Sequence, residues 1–309
     1  AKTAFMFPGQ GSQTPGMGKS LYDASPEAQA VFKTASAVLG FSMEELCFNA
    51  APEELKKTEN AQPALLTVSM AALAALRARG FDSDAFAGHS LGEYSALVGA
   101  GKLSLEDGLR LVRKRGLLMA AADPDGRGGM AAVIGLAKEE LAPVLEAASK
   151  TGKVEAANSN CPGQIVISGE KSGIDAAEPL AIEAGAGNYV KLEVSGPFHS
   201  SFMKPAADKF AAELAAATIH PGTGRVVANV TASWAADGEI KTLLERQIFS
   251  SVLWEDSILF LKNSGYDTFV ELGSGKVLTG LARRIDKSVN GIAVNTPADI
   301  DAALAALLA

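Results

Sequence analysis

The pentapeptide Gly88-His89-Ser90-Leu91-Gly92 constrains this chain more than any other stretch. A short apolar segment, AFA, precedes it, and EYSALVGAG, a run compatible with a helix, follows. With a glycine on either side, the backbone can turn from strand to helix within a few residues, a geometry at home in a parallel α/β architecture. The neighbourhood agrees. Up to about residue 120, short strand-like segments such as TAFMF alternate with helical ones such as EAQAVFKTASAVL, PALLTVSMAALAALRARG and LEDGLRLVRKRGLLMAA. Strands alternating with helices predict a mainly parallel sheet.

The turn-rich stretch AADPDGRGGM then marks a boundary. Beyond it the units shorten: MAAVIGL (strand), KEELAPVLEAASK (helix), KVEAANSN and GQIVISG (strands), KSGIDAAEPLAIEAG (helix) and NYVKLEV (strand). That βαββαβ order is the ferredoxin-like unit. TFVELGSG and GIAVNTP return to the first style. The expected organisation is a large α/β domain, residues 1–124 and 196–309, with a ferredoxin-like subdomain inserted over residues 125–195. A cleft between the two is the expected ligand site.

Composition narrows the function classes. The 309 residues are 48% hydrophobic and 20% charged, with a net charge of −7, which argues against a nucleic-acid partner, since such domains are basic over a whole face. Cys47 and Cys161 are too few and too far apart for a disulfide framework or a metal site, and a reducing cytoplasm suits them. The first apolar run, before a proline and glycines, reads as a strand and not as a leader. The longest apolar stretch, ALLTVSMAALAAL, is broken by Thr67 and Ser69 and predicts a helix buried on most sides, with no membrane association.

The glycine-rich FPGQGSQTPGMGKS invites a nucleotide-binding reading, but both phosphate motifs fail. Gln13 stands where a phosphate loop needs its first glycine, and Thr14 stands at the third glycine of a dinucleotide fingerprint. The elbow offers different chemistry. Ser90 at a strand-to-helix turn exposes a hydroxyl beside free backbone N–H groups, as a nucleophile and oxyanion site require; the competing reading is an ordinary helix N-cap. A serine nucleophile needs a base. His89 adjoins Ser90 and should point away from it, and His220 sits beside a proline in TIHPGTG. His199, in GPFHS at the domain boundary, is the candidate. No Asp or Glu declares itself as a third member, so a carbonyl is left to orient the ring.

Arg115 stands out in its helix, because its neighbours at three and four positions are Leu111, Val112, Leu118 and Met119. A guanidinium on a buried face demands an anion, either from the protein as a structural ion pair or from a substrate.

Together these segments resemble the malonyl-CoA:acyl carrier protein transacylase family over nearly the whole chain. The carriers are FPGQGSQ at 7–13, QPALL at 62–66, GHSLGEYSAL at 88–97, Arg115, the N-x-N-x-P-x-Q-x-V-x-S-G run from Asn158 to Gly169, GPFHS at 196–200, Gln247, and VELGSGKVLTGL at 270–281. Ser274 replaces a proline common in the family, at a turn expected to lie away from the chemistry. The resemblance implies a hydrolase-like α/β core with a ferredoxin-like insertion. It implies Ser90 as nucleophile, His199 as base, and the backbone N–H groups of Gln10 and Leu91 as oxyanion hole. It also implies the Gln247 backbone carbonyl as the group orienting His199, and Arg115 as receptor of the malonyl carboxylate. Gln62, Met119, Asn158, Asn160 and Phe198 would line the substrate site, with Phe198 narrowing the space at the acyl α-carbon. The implied enzyme is a cytoplasmic monomer that takes malonyl-CoA as substrate and acyl carrier protein as partner, with no cofactor or metal, in fatty acid or polyketide synthesis. A serine thioesterase or esterase of similar fold is the alternative.

Overall fold

A computed structural model describes residues 2–309; residue 1, where the expected large domain begins, lies outside the described residues. The strands are β1 (Thr3–Phe7), β2 (Ala85–Gly88), β3 (Gly128–Ile134), β4 (Val154–Cys161), β5 (Gln164–Glu170), β6 (Asn188–Leu192), β7 (Arg225–Val227), β8 (Val252–Leu253), β9 (Thr268–Leu272) and β10 (Asn290–Val294). They form two sheets. The first has the order β10-β9-β1-β2-β7 and is parallel throughout. Its central strands are buried on both faces, which is why β1 and β9 are almost continuously apolar.

The second sheet has the order β6-β3-β5-β4-β8. Its first four strands pair antiparallel, the ferredoxin-like arrangement that the βαββαβ order implies. The fifth is a departure. β8, two residues from far down the chain, adds to β4 in parallel, Asn158 opposite Val252. The sequence carries no sign of it because two residues have no readable periodicity.

The helix Thr58–Ala78 starts before the expected Pro63 and continues through it. Proline at 63 leaves the Glu59 carbonyl without its helical donor. Arg113 Nη1 donates to that oxygen at 2.6 Å, so the helix survives. By length and hydropathy this helix could cross a membrane, but its most apolar stretch is 83% buried within the protein. It packs on the helix Leu105–Ala120, whose buried face holds Leu111, Val112, Arg115 and Met119.

The register Phe7 opposite Gly88 sets the loop after β1 beside the turn after β2. Contact there is backbone to backbone. A Cβ on Gly92 would lie 2.1 Å from the Phe7 carbonyl oxygen, and one on Gly9 would lie 2.4 Å from that of His89. Neither obstacle is a flexible side chain that could move aside. Gly92→Ala should therefore cost at least about 3 kcal/mol, read as a drop of several degrees in Tm; an unchanged melting curve would mean that this turn can move apart freely.

Candidate active site

Ser90 follows β2 and has φ of 54°, the left-handed region that costs a non-glycine residue about 1–2 kcal/mol. The surroundings hold it there. Its N–H donates to Asn229 Oδ1 at 2.8 Å, its carbonyl accepts from Gln247 Nε2 at 2.8 Å, and Asn229 Nδ2 donates to the Gly88 carbonyl at 2.7 Å. The N-cap alternative does not hold, since Leu91 caps the helix Gly92–Gly99 and no side chain contributes. The Ser90 hydroxyl instead meets His199 Nε2 at 2.7 Å.

His199 is also left-handed, with φ of 55°, and buried. Its Nδ1 lies 2.9 Å from the Gln247 main-chain carbonyl. A carbonyl only accepts, so Nδ1 carries the proton and Nε2 is the acceptor. The hydroxyl is fixed in the matching sense. Arg115 Nη2 donates to Ser90 Oγ at 3.3 Å, which directs the serine proton to His199. Burial, and then the Arg115 charge, push the His199 pKa down to about 3, keeping the imidazole neutral and able to take a proton.

Arg115 itself is 1% exposed. Nη1 donates to Gln62 Oε1 at 2.9 Å and Nη2 to Gln247 Oε1 at 3.0 Å, and the group lies over the Tyr94 ring. Its contacts are neutral oxygens, and it is in no ion pair among the described residues. The structural ion pair that the helix-face argument left open is therefore not formed among the described residues. Its Nε has no partner among the described residues.

Ser90 and His199 border a cleft of about 620 Å³ lined also by Gln10, Met119, Asn158 and Phe198, with Met130, Val166 and the segment from Leu192 to Ser195 on other sides. Gln62, Arg115 and Gln247 lie buried behind this wall. Gln62 Nε2 also donates to Met119 Sδ at 3.6 Å. Asn158 Oδ1 is buried without a partner among the described residues. Asn160 Oδ1 meets His89 Nε2 at 2.7 Å; His89 lines the cleft, and Asn160 does not. The backbone N–H groups of Gln10 and Leu91 donate to no described group, while the Gln10 side chain donates to Thr58 Oγ1 at 3.0 Å.

Ser274 does not line the cleft. Its hydroxyl donates to the Ser12 carbonyl at 2.7 Å, anchoring the glycine loop that carries Gln10. Sequence reasoning missed Asn229, in a loop with no motif, and Glu93. The signal for Glu93 was present as the one charged residue in the helix Gly92–Gly99. Among the described residues no group of three or more His, Cys, Asp or Glu side chains could hold a metal ion.

A histidine acceptor and a buried cation converge on one serine hydroxyl, an arrangement suited to acyl-group transfer. The acyl transferase domain family matches residues 4–298, and the chain belongs to that family. It is 47% identical to the malonyl CoA-acyl carrier protein transacylase of Bacillus subtilis, over 99% of this chain and 98% of that protein. The crystal structure of the corresponding transacylase from Clostridium perfringens superposes with a TM-score of 0.97 at 43% identity, covering 100% of this chain and 98% of that one. A malonyl transacylase solved in complex with a type II polyketide acyl-carrier protein gives 0.96 at 39% identity, covering 99% and 100%.

The depressed His199 pKa has a kinetic consequence. Labelling of Ser90 by a small sulfonyl fluoride needs neutral His199, so the rate should hold down to mildly acid pH and fall to half only near the His199 pKa of about 3. Arg115→Ala removes the second-largest of the influences that lower this pKa, after burial, and the acid limb should move toward neutrality. A wild-type limb at the ordinary histidine value near 6.5, unmoved by the substitution, would show that the burial of His199 does not govern its protonation.

Proposed function

We propose that this chain transfers a malonyl group from malonyl-CoA to the phosphopantetheine thiol of an acyl carrier protein, through a malonyl-Ser90 intermediate. The observation that carries this is the double contact of Ser90 Oγ, 2.7 Å from His199 Nε2 and 3.3 Å from Arg115 Nη2. One atom thus has a proton acceptor and a carboxylate-binding cation within reach.

His199 Nε2 takes the serine proton as Oγ attacks the thioester carbonyl. The backbone N–H groups of Gln10 and Leu91, free of other partners, hold the oxyanion. The intermediate collapses, the C–S bond breaks, and CoA leaves with the proton from His199. The carrier thiol then gives its proton to His199, attacks malonyl-Ser90 and regenerates the serine. The Gln247 carbonyl keeps the ring in one tautomer throughout. Arg115 turns from Ser90 toward the malonyl carboxylate, for which its unpartnered Nε and a released Nη2 offer a two-point fork. Phe198 and Met119 in the cleft wall bound the acyl α-carbon and its surroundings. Gln62 steadies Arg115, Asn158 faces the cleft, and Asn160 acts through His89, which it holds.

Each chain carries all of these groups, so a monomer is a sufficient unit. No resident cofactor enters any step, and the two buried thiols suit a reducing cytoplasm. Residues 125–195 are read as the inserted lobe over the cleft, and the remainder as the large domain.

Mass spectrometry after mixing with malonyl-CoA should show a malonyl adduct that is absent from Ser90→Ala; an adduct persisting on that variant would falsify the assignment. Arg115→Ala should lower the specificity constant for malonyl-CoA at least about a hundredfold, since each charge-assisted hydrogen bond is worth about 1.5–3 kcal/mol, and leave that for acetyl-CoA largely unchanged. Equal losses for both donors would make Arg115 structural. Release of the acyl group to water in preference to a carrier thiol would favour a thioesterase.

A further inference from the structure

Glu93 is 2% exposed and lies three residues beyond the nucleophile, on the helix Gly92–Gly99. Its Oε1 accepts from the Asn229 N–H at 3.1 Å and from Gln247 Nε2 at 3.0 Å. Both donors belong to residues that hold the reacting groups. Asn229 fixes the Ser90 N–H, and Gln247 meets His199 through its main-chain carbonyl.

The Gln247 side chain is oriented from both ends. Nε2 faces three acceptors, Glu93 Oε1, Asn229 Oδ1 at 3.1 Å and the Ser90 carbonyl at 2.8 Å, which leaves Oε1 to receive Arg115 Nη2 at 3.0 Å. An ionised carboxylate can only accept, so Glu93 forbids the flipped amide, which would turn its NH2 group on the guanidinium. A buried guanidinium also requires a counter-charge. Arg115 has none in direct contact, and Glu93, one amide away, is the carboxylate placed to supply it.

We propose that Glu93 is a positioning residue and the counter-charge of Arg115: it locks Gln247 in the orientation that serves Arg115 and His199 together, and its charge competes with the carboxylate of the incoming acyl group. The inference rests on the malonyl-transfer reading. The titratable and charged groups facing Glu93 are Arg115 from the helix Leu105–Ala120, His199 beyond Gln247, and Tyr94 beside it on its own helix. Burial pushes the Glu93 pKa up to about 7, against the hydrogen bonds from Asn229 and Gln247 and the Arg115 charge. A second anion reaching Arg115 weakens the last of these influences, so Glu93 takes up a proton as a malonyl group binds. An acetyl group brings no such linkage.

The test uses the intact protein and rapid-quench mass spectrometry of the acyl-enzyme, with malonyl-CoA and acetyl-CoA as separate donors. Glu93→Gln should lower the half-saturating malonyl-CoA concentration at pH 8 by about fivefold and leave that for acetyl-CoA unchanged, while slowing the maximal rate with both donors because Gln247 loosens. Glu93→Asp, which keeps the charge, should retain near-wild-type half-saturation. In the wild type, which needs no variant to fold, the ratio of malonyl to acetyl half-saturation should fall from pH 8 to pH 6, with titration of the shared CoA phosphates cancelling. A flat wild-type ratio, or equal changes for both donors in Glu93→Gln, overturns the role given to Glu93. Absence of any malonyl adduct on the wild type removes the malonyl reading, and this proposal with it.

Discussion

The contact on which the rest of the site depends is the approach of two main-chain segments at the carboxyl ends of β1 and β2. Because neighbouring parallel strands end level with one another, the loop after β1 and the turn after β2 touch without side chains between them. The His89 N–H donates to the Phe7 carbonyl at 3.1 Å and fastens the two together. This closeness brings the Gln10 and Leu91 N–H groups to the same end of the sheet as the serine. A glycine-rich loop that resembles a phosphate cradle in composition is thereby placed, in the function proposed here, to serve a different kind of oxygen.

Around that contact the protein manages charge with neutral groups. Arg115 is wrapped by two glutamine side chains and a hydroxyl, and Glu93 by an amide and a backbone N–H. A direct ion pair between them would hold the guanidinium firmly and leave it little reason to change partners. Interposing Gln247 keeps the field of the carboxylate while leaving donors of the guanidinium exchangeable. Histidine is treated alike: a carbonyl orients it in place of a carboxylate, and burial, then the Arg115 charge, keep its proton affinity low.

Much of this was legible in the sequence where chemistry is local. Short apolar runs and amphipathic helices show the α/β alternation and the βαββαβ unit, and glycines around Ser90 show the elbow. Arg115 showed itself because a charge amid Leu111, Val112 and Met119 breaks the helix pattern. Gln247 could be named only through the family resemblance, since its use of a main-chain oxygen leaves no trace in residue type. Asn229 was out of reach because its partners, Gly88, Ser90 and Gln247, are distant in sequence or interchangeable in kind. Asn160 could be named only through the resemblance, which implies it in the cleft lining; beside a register shift in β4 between Ser159 and Cys161 its side chain meets His89. The strands β7 and β8 are too short to announce themselves.

β8 bears on how such a protein can be taken apart. Its two residues complete the smaller sheet beside β4, and the Leu253 N–H donates to the Asn229 carbonyl at 3.0 Å. The piece that looks like a self-contained cassette in the sequence thus borrows its last strand from a segment that also holds Asn229, the partner of the Ser90 N–H. Excising residues 125–195 would strip β8 of its partner strand, and grafting in a lobe from a relative would succeed only if residues 252–253 and their seat on Asn229 travelled with it. The unit of exchange in this architecture is the lobe together with its distant edge strand, even though the chain writes the two about sixty residues apart.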